Sequence, residues 1–147
     1  VKGGRARRKR CLVCGATTRV TEEPFYRLEV PTRALLPNAR YAEHSSLQEC
    51  LAAMTAPEVM SGENKVECEK GCGFRRTDTE FETKVSLLPP ILCIQLKRFD
   101  FNLHTFRQEK LDHRVSFPIE LDMSEYTDEA FGDRDGKALT AEMPPYA

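Results

Sequence analysis

The chain has 147 residues, of which 40% are hydrophobic and 31% charged, and its formal net charge is −1. This length fits one domain with its own hydrophobic core, and the near-neutral charge argues against a general nucleic-acid-binding protein. Six cysteines are too few for a secreted disulfide scaffold of this size, and no apolar run approaches the ~18 residues of a membrane span.

The first ten residues are strongly basic. Residues 1–10 contain the run "RARRKR" and almost nothing apolar. This composition predicts a solvated basic arm or an exposed strand. The alternative is a functional one, in which the same residues form a nuclear-import signal or a phosphate-binding patch.

A strand and a loop are predicted next. In "PFYRLEV", the apolar residues Tyr26, Leu28 and Val30 alternate with charged ones. A period of two is typical of a half-buried strand, and Pro31 would end it. Residues 31–44, which contain two prolines and an asparagine, are predicted to form a connecting loop.

One helix is clearly indicated, at about 46–55. Its apolar residues recur at helical spacing, and Ser46 with Glu49 three residues later forms a capping-box pattern. Pro57 would end the helix. Cys50 falls on the apolar stripe, so we interpret it as a core residue rather than a ligand or a nucleophile.

The second half of the chain is rich in strand patterns. "FETKVSL" alternates cleanly, whereas "PPILCIQLKRFDFNL" is apolar and changes phase near Lys97–Arg98. That change predicts either a bulge or a central strand covered on both faces. "HTFRQEK" is typical of a loop or hairpin tip. A further strand is predicted in "LDHRVSFPI", with four apolar residues on one face: Leu111, Val115, Phe117 and Ile119.

Two cysteine pairs carry the strongest chemical signal. "CLVCG" contains Cys11 and Cys14, and "CEKGCG" contains Cys68 and Cys72 with one more intervening residue. A C-x2-C turn points two sulfurs at one place, and the glycine after the second cysteine permits a sharp turn. We therefore predict a four-cysteine zinc site. Because sulfur would fill all four positions, this site would be structural rather than catalytic.

Disulfides and a redox-active C-x-x-C are the alternatives. Disulfides need an oxidising compartment, and no secretory signal is visible, which favours an intracellular protein of the cytoplasm or nucleus. A redox motif would be expected within a βαβ pattern, which the flanking sequence lacks. Since 53 residues lie between the two pairs, only the fold can bring them together.

No complete catalytic apparatus is recognisable. Outside the zinc set, only Cys50 and Cys93 remain, and we expect Cys93 to lie in a buried strand where apolar surroundings make a thiol inert. His44, His104 and His113 are predicted to be surface or loop residues rather than general bases. The sequence also shows no glycine-rich phosphate loop, paired-carboxylate motif or metal-hydrolase helix.

An ordered series of motifs resembles the catalytic domain of ubiquitin-specific proteases. The motifs are "EPFYRLEV", "SLQECL", "GENKVEC" and the long run "SLLPPILCIQLKRFDFNLHTFRQEKLDHRVSFPIELDMSEY". They cover about residues 11–126. The resemblance implies an α+β fold of mainly antiparallel strands, with zinc-ribbon fingers attached to part of a palm sheet. Its segments would be an arm or exposed strand (1–10), fingers (11–86), palm strands and a loop near the ubiquitin tail (87–126), and an acidic insertion or linker (127–147).

The same resemblance implies roles for individual residues. Phe99 and Asp100 match positions beside the C-terminal tail of ubiquitin, and Asp100–Lys110 matches a loop that closes over that tail. The finger ligands of a structural Zn²⁺ would be Cys11, Cys14, Cys68 and Cys72.

Two features of the family's catalytic domain are missing from this sequence. The family's nucleophilic cysteine and its general-base histidine have no match here, and the initial Val1 suggests a segment of a longer chain. We expect a segment, itself inactive, of a cysteine-type deubiquitinase whose partners are ubiquitin and ubiquitinated proteins. The alternatives are an inactive ubiquitin-binding scaffold of the same fold and a zinc-ribbon nucleic-acid-binding module, which the net charge disfavours.

Overall fold

The structure is a computed structural model and describes residues 2–127. It is an α+β fold of mainly antiparallel strands with one α-helix in the described residues, α1 (Leu47–Thr55). No helix among these residues has the length and apolar character needed to cross a bilayer. The strands are β1 (Gly3–Cys11), β2 (Thr17–Phe25), β3 (Leu28–Pro31), β4 (Arg33–Leu35), β5 (Tyr41–Glu43), β6 (Glu58–Met60), β7 (Val66–Cys68), β8 (Arg75–Thr77), β9 (Thr79–Leu87), β10 (Ile94–Lys97), β11 (Phe99–Asn102) and β12 (Arg107–Lys110).

The largest sheet is four-stranded and antiparallel, in the order β2-β1-β9-β6. The prediction of a basic arm or exposed strand at residues 1–10 is therefore wrong, because β1 has a partner strand on each edge. Carboxylates on the neighbouring strands accommodate its basic side chains. Arg5 lies 2.9 Å from Glu23 of β2, and Arg10 lies 2.8 Å from Glu80 of β9.

The predicted helix is confirmed to within a residue. Ser46 caps α1, and its Oγ accepts a hydrogen bond from the backbone N–H of Glu49 at 3.2 Å. The Glu49 carboxylate reaches back one residue further than a standard capping box and accepts from the Ser45 N–H at 2.7 Å. Cys50 and Leu51 are completely buried, so the interpretation of Cys50 as a core residue is also confirmed.

The core lies where α1 packs against β3 and β9. Leu28 and Val30 of β3 are buried as predicted, but Tyr26 is 67% exposed because it lies in the turn between β2 and β3. Strand β3 pairs in parallel with β10. The buried members of this core are Leu28, Val30, Cys50, Leu51, Val85, Met123 and Tyr126.

The change of phase near Lys97–Arg98 marks a break between two strands, so both predicted alternatives, a bulge and a central strand, are wrong. Strand β10 ends at Lys97 beside β3, and β11 begins at Phe99 and forms an antiparallel hairpin with β12. The Arg98 side chain lies at the junction and donates to the carbonyl oxygens of Leu111 and His113. The prediction of a hairpin tip in "HTFRQEK" is confirmed only for its first three residues, since residues 103–106 form the turn and Arg107–Lys110 form β12.

Three further predictions are wrong. Residues 31–44 contain the β4–β5 hairpin rather than only a loop. "LDHRVSFPI" makes only one isolated bridge, at Ser116, and its Phe117 and Ile119 are exposed, because no described strand pairs along it. Cys93 lies outside the strands and is exposed. Alternation and β-branched composition show which residues suit a strand, but pairing decides whether the strand forms. Residues 128–147, most of the predicted acidic linker, lie outside the described residues.

Candidate functional site

The four paired cysteines come together at one end of the large sheet. Cys11 ends β1 and Cys14 lies in the turn that follows it, while Cys68 ends β7 and Cys72 lies in the turn between β7 and β8. All four Sγ atoms lie within 4.8 Å of one another. The Sγ atoms of Cys11 and Cys72 are 3.8 Å apart, and those of Cys14 and Cys68 are 3.6 Å apart.

These distances fit a tetrahedral metal site. Four sulfurs bound to Zn²⁺ at about 2.3 Å would be separated by about 3.8 Å, from the geometry of a tetrahedron. All six cysteines of the chain are free, so the pairs do not form disulfides in this structure. A set of four thiolates favours soft or borderline cations such as zinc. The cluster could therefore hold a metal ion, and its donors match zinc.

Glycines make the two turns possible. Gly15 and Gly73, which follow Cys14 and Cys72, have φ angles of 72° and 60°, a region that side chains rarely adopt. Gly71 serves a different purpose: a Cβ atom there would lie 2.7 Å from the Cβ and 2.8 Å from the Sγ of Cys14. The looser C-x3-C turn can approach the first pair because Gly71 has no side chain.

Local hydrogen bonds favour the thiolate at some of these cysteines. The backbone N–H of Cys14, followed by the Thr77 hydroxyl 3.2 Å from the sulfur, lowers the pKa of Cys11 to about 6. The backbone N–H groups of Lys70 and Cys72 lower the pKa of Cys68. Burial, followed by the neighbouring cysteines, raises the pKa of Cys72 to about 12. Four adjacent thiolates repel one another, so full deprotonation of the cluster requires a cation.

The cluster leaves no position for catalytic water. Four protein sulfurs complete the coordination that structural zinc adopts, whereas catalytic zinc keeps a fourth position open. A metal held here would join the end of β1 to the β7–β8 turn. Its role would be structural: it would stabilise the position of the β7–β8 turn relative to β1.

The residues predicted to meet ubiquitin lie on the β11–β12 hairpin. Phe99 begins β11 and is 69% exposed. The neighbouring Asp100 is half-buried, and its Oδ2 accepts a hydrogen bond from Arg33 Nε at 2.7 Å. Its Oδ1 accepts from the backbone N–H of Phe101 at 2.9 Å. Of the two residues, Phe99 therefore has the more accessible side chain.

Sequence reasoning missed Arg33. Its side chain is only 5% exposed and contacts both Asp100 and Glu109 of the hairpin, and its guanidinium lies 3.9 Å from the centre of the Tyr41 ring. In a segment predicted to be a loop, residues 31–44, an arginine is expected to be solvated. The one indication in the sequence is that Arg33 and Tyr41, two side chains able to form a cation–π contact, both occur in the segment predicted to be a connecting loop.

Cys50, His104 and His113 have structural surroundings. Burial raises the pKa of the Cys50 thiol, which makes it a poor nucleophile. The ring Nε2 of His104 hydrogen-bonds with the Ala39 carbonyl at 2.7 Å. The ring Nε2 of His113 hydrogen-bonds with the Thr32 carbonyl at 2.9 Å. These contacts fix backbone segments to one another.

Comparisons with known proteins give consistent matches. Residues 2–140 match the family model described as ubiquitin carboxyl-terminal hydrolase. The chain is 33% identical over 117 residues to ubiquitin carboxyl-terminal hydrolase 47 of Drosophila melanogaster, covering 80% of this chain and 7% of that protein. The Mus musculus protein of the same name is 35% identical over 119 residues (81% and 8%). Ubiquitin carboxyl-terminal hydrolase 4 of Arabidopsis thaliana is 32% identical over 120 residues (82% and 30%). The chain thus spans less than a third of the length of each of these relatives.

Proposed function

Because this chain belongs to the ubiquitin carboxyl-terminal hydrolase family of ubiquitin-specific proteases, we propose that it is the ubiquitin-gripping part of a cysteine-type deubiquitinase. The full-length protein that carries it would hydrolyse peptide and isopeptide bonds at the C-terminal glycine of ubiquitin. The observation that carries this proposal is the family match across residues 2–140.

We assign β2, β6 and β9 of the large sheet and the cysteine cluster to the fingers (11–86) and β10–β12 to the palm (87–126). Strand β1 (Gly3–Cys11) joins the fingers, since it is an interior strand of the same sheet. The two parts share a core, since Ile94 and Leu96 of β10 pack against the buried cluster that contains Leu28 and Leu51. Zinc held by the four cysteines would supply a cross-link at the end of the fingers. That cross-link would keep β1 and the β7–β8 turn in a fixed relation while ubiquitin binds.

The described residues would bind and orient ubiquitin rather than react with it. Phe99 offers an exposed apolar ring near the start of the hairpin, suited to an apolar side chain in an extended peptide tail. The reaction would use a thiolate nucleophile and a general base that lie outside these 147 residues. Four cysteines of the chain belong to the cluster, and Cys50 is buried with a raised pKa. The remaining Cys93 is exposed, but the Nε2 atoms of His104 and His113 hydrogen-bond with backbone carbonyls, which supports an inactive segment.

A fluorogenic ubiquitin substrate tests this proposal. We expect the full-length protein to release the fluorophore and the 147-residue segment to release none at the same concentration. Turnover by the segment would contradict the assignment of the nucleophile to another part of the protein. Ubiquitin binding by a full-length protein that shows no turnover would instead identify an inactive scaffold.

A further inference from the structure

Two hairpins of this chain dock side by side through polar contacts. At the base, Arg33 of β4 contacts the carboxylates of Asp100 on β11 and Glu109 on β12. At the tip, the Tyr41 hydroxyl of β5 accepts a hydrogen bond from the backbone N–H of Leu103 at 2.9 Å. The contacts at both ends define the angle at which the β11–β12 hairpin lies against β4–β5.

The carboxylates that Arg33 joins are a like-charge pair. Asp100 and Glu109 are directly opposite each other in the β11–β12 ladder, and like charges in that position destabilise a hairpin. The Arg33 guanidinium lies in reach of both, and the Tyr41 ring stacks on it at 3.9 Å. The hairpin therefore relies on a cation from another hairpin to relieve the repulsion between its own strands.

The docked arrangement leaves aromatic side chains of the hairpin exposed. Side chains alternate along a strand, so Phe99 and Phe101 lie on the face of β11 opposite to Asp100. Phe101 packs edge-on against Phe106 of the turn, with ring centres 6.4 Å apart. All three phenylalanines are exposed. Since Asp100 faces Arg33, the contact with Arg33 turns this aromatic face outward.

We propose that Arg33 is a positioning residue for ubiquitin recognition: it holds the β11–β12 hairpin at the angle at which Phe99 meets the ubiquitin tail. This inference rests on the function proposed above. Arg33 itself is almost completely buried and acts through the hairpin, so it contributes to substrate binding rather than to the chemical step.

The test uses the full-length protein and three variants. Arg33→Met leaves the two carboxylates facing each other, and Asp100→Asn/Glu109→Gln leaves Arg33 buried without a charged partner. The triple variant Arg33→Met/Asp100→Asn/Glu109→Gln removes all three charges together. Arg27→Met is the matched control, because Arg27 is exposed, lies outside both hairpins and pairs with Glu29 at 3.7 Å.

We expect Arg33→Met and the double variant each to raise KM for a ubiquitin substrate about tenfold, with kcat within about twofold of the wild type. Hydrogen exchange of amides 99–110 should accelerate in both. The triple variant should recover most of the lost affinity and protection, because no unpaired charge remains. Arg27→Met should match the wild type in KM and in exchange.

An unchanged KM in the double variant would overturn the proposal, and so would equal losses of kcat and of affinity in all three variants. The double variant keeps the test decisive if Arg33→Met does not fold, since its two substitutions lie on half-exposed side chains. Hydrogen exchange separates this inference from the proposed function. If the wild type shows no ubiquitin turnover or binding, loss of hairpin protection in Arg33→Met still establishes the positioning of the hairpin.

Discussion

The Sγ atoms of Cys11 and Cys72 lie 3.8 Å apart although 61 positions separate them in the sequence. Cys11 ends a strand of the large sheet, and Cys72 lies in a turn between two short strands that pair only with each other. A contact between two thiols is too weak to hold such distant segments. A cation bound by all four cysteines would join them far more strongly, and this arrangement leads to the first prediction.

The full-length protein should contain zinc bound by the cysteine cluster. Replacement of Cys14 by Ser removes one ligand, and we expect zinc content measured by elemental analysis to fall by about one ion per chain. Cys93→Ser is the matched control, because Cys93 is exposed and lies outside the cluster. Equal zinc content in the Cys14→Ser protein and the wild type would contradict a zinc site here.

Gly71→Ala should weaken the zinc site without removing a ligand. The added methyl group would lie 2.7 Å from Cys14 Cβ, so one of the two turns must shift. We expect zinc affinity, measured by competition with a chelator, to fall by about 10- to 100-fold, as for other changes that disturb ligand orientation. Glu69→Ala, in the same turn but exposed, serves as the control. An unchanged affinity in Gly71→Ala would show that the turns adapt freely.

Phe99→Ala should raise KM for ubiquitin substrates. Loss of an aromatic side chain from a contact costs about 1–2 kcal/mol in binding, or roughly a 5- to 30-fold rise in KM with little change in kcat. Tyr26→Ala is the matched control, because Tyr26 is exposed to a similar fraction and lies in the β2–β3 turn. The same KM in Phe99→Ala and the wild type would remove Phe99 from the ubiquitin contact.

Ser46→Ala should destabilise α1 locally. The Ser46 hydroxyl accepts from the Glu49 N–H, and loss of such a cap costs about 0.5–2 kcal/mol. Native-state hydrogen exchange of residues 47–55 measures the free energy of opening the helix. Ser61 precedes the short 3-10 turn at Gly62–Asn64 and makes no side-chain cap hydrogen bond, so Ser61→Ala should leave α1 unchanged. Equal effects of the two substitutions would contradict a capping role for Ser46.

Lowering the pH should destabilise the β11–β12 hairpin, because protonation of Glu109 weakens its contacts. The Asn102 amide, followed by the Arg33 guanidinium, lowers the pKa of Glu109. A carboxyl group whose pKa is lower in the folded chain contributes stability that is complete above its unfolded pKa, about 4.3, and is lost as the pH falls through the folded value.

Protection factors of amides 99–110 in the wild type and in Glu109→Gln should therefore differ most at neutral pH. The difference should shrink as the pH falls below about 4.3, because the glutamine variant lacks this titration. The comparison between the two proteins cancels the effects of other groups that titrate in both, the cysteines included. A difference that stays constant with pH would contradict a stabilising role for the Glu109 carboxylate.

The features predicted correctly from the sequence depend on residues close together in the chain. The helix follows from apolar spacing and a serine cap within about ten residues, and the hairpin tip follows from a short segment after a strand pattern. The two cysteine turns follow in the same way from pairs followed by glycine. The wrong predictions concern segments whose structure depends on distant parts of the chain. The alternating segment "LDHRVSFPI" has no described strand to pair with and forms only one bridge. The basic residues of β1 pair with two strands, β2 and β9, and therefore do not form an exposed arm.

The sequence by itself therefore determined the position of α1 and of Cys50 within it, and the composition of a four-sulfur site, because hydrogen-bonding geometry and hydrophobic spacing act over a few residues. The α+β class followed from the resemblance to ubiquitin-specific proteases. Only the tertiary structure decided that β1 is an interior strand, that Cys93 is exposed, and that Arg33 joins Asp100 and Glu109. Arg33 is separated from those two residues by 67 and 76 positions. Contacts over such distances arise when whole hairpins pack together, and no local periodicity encodes them.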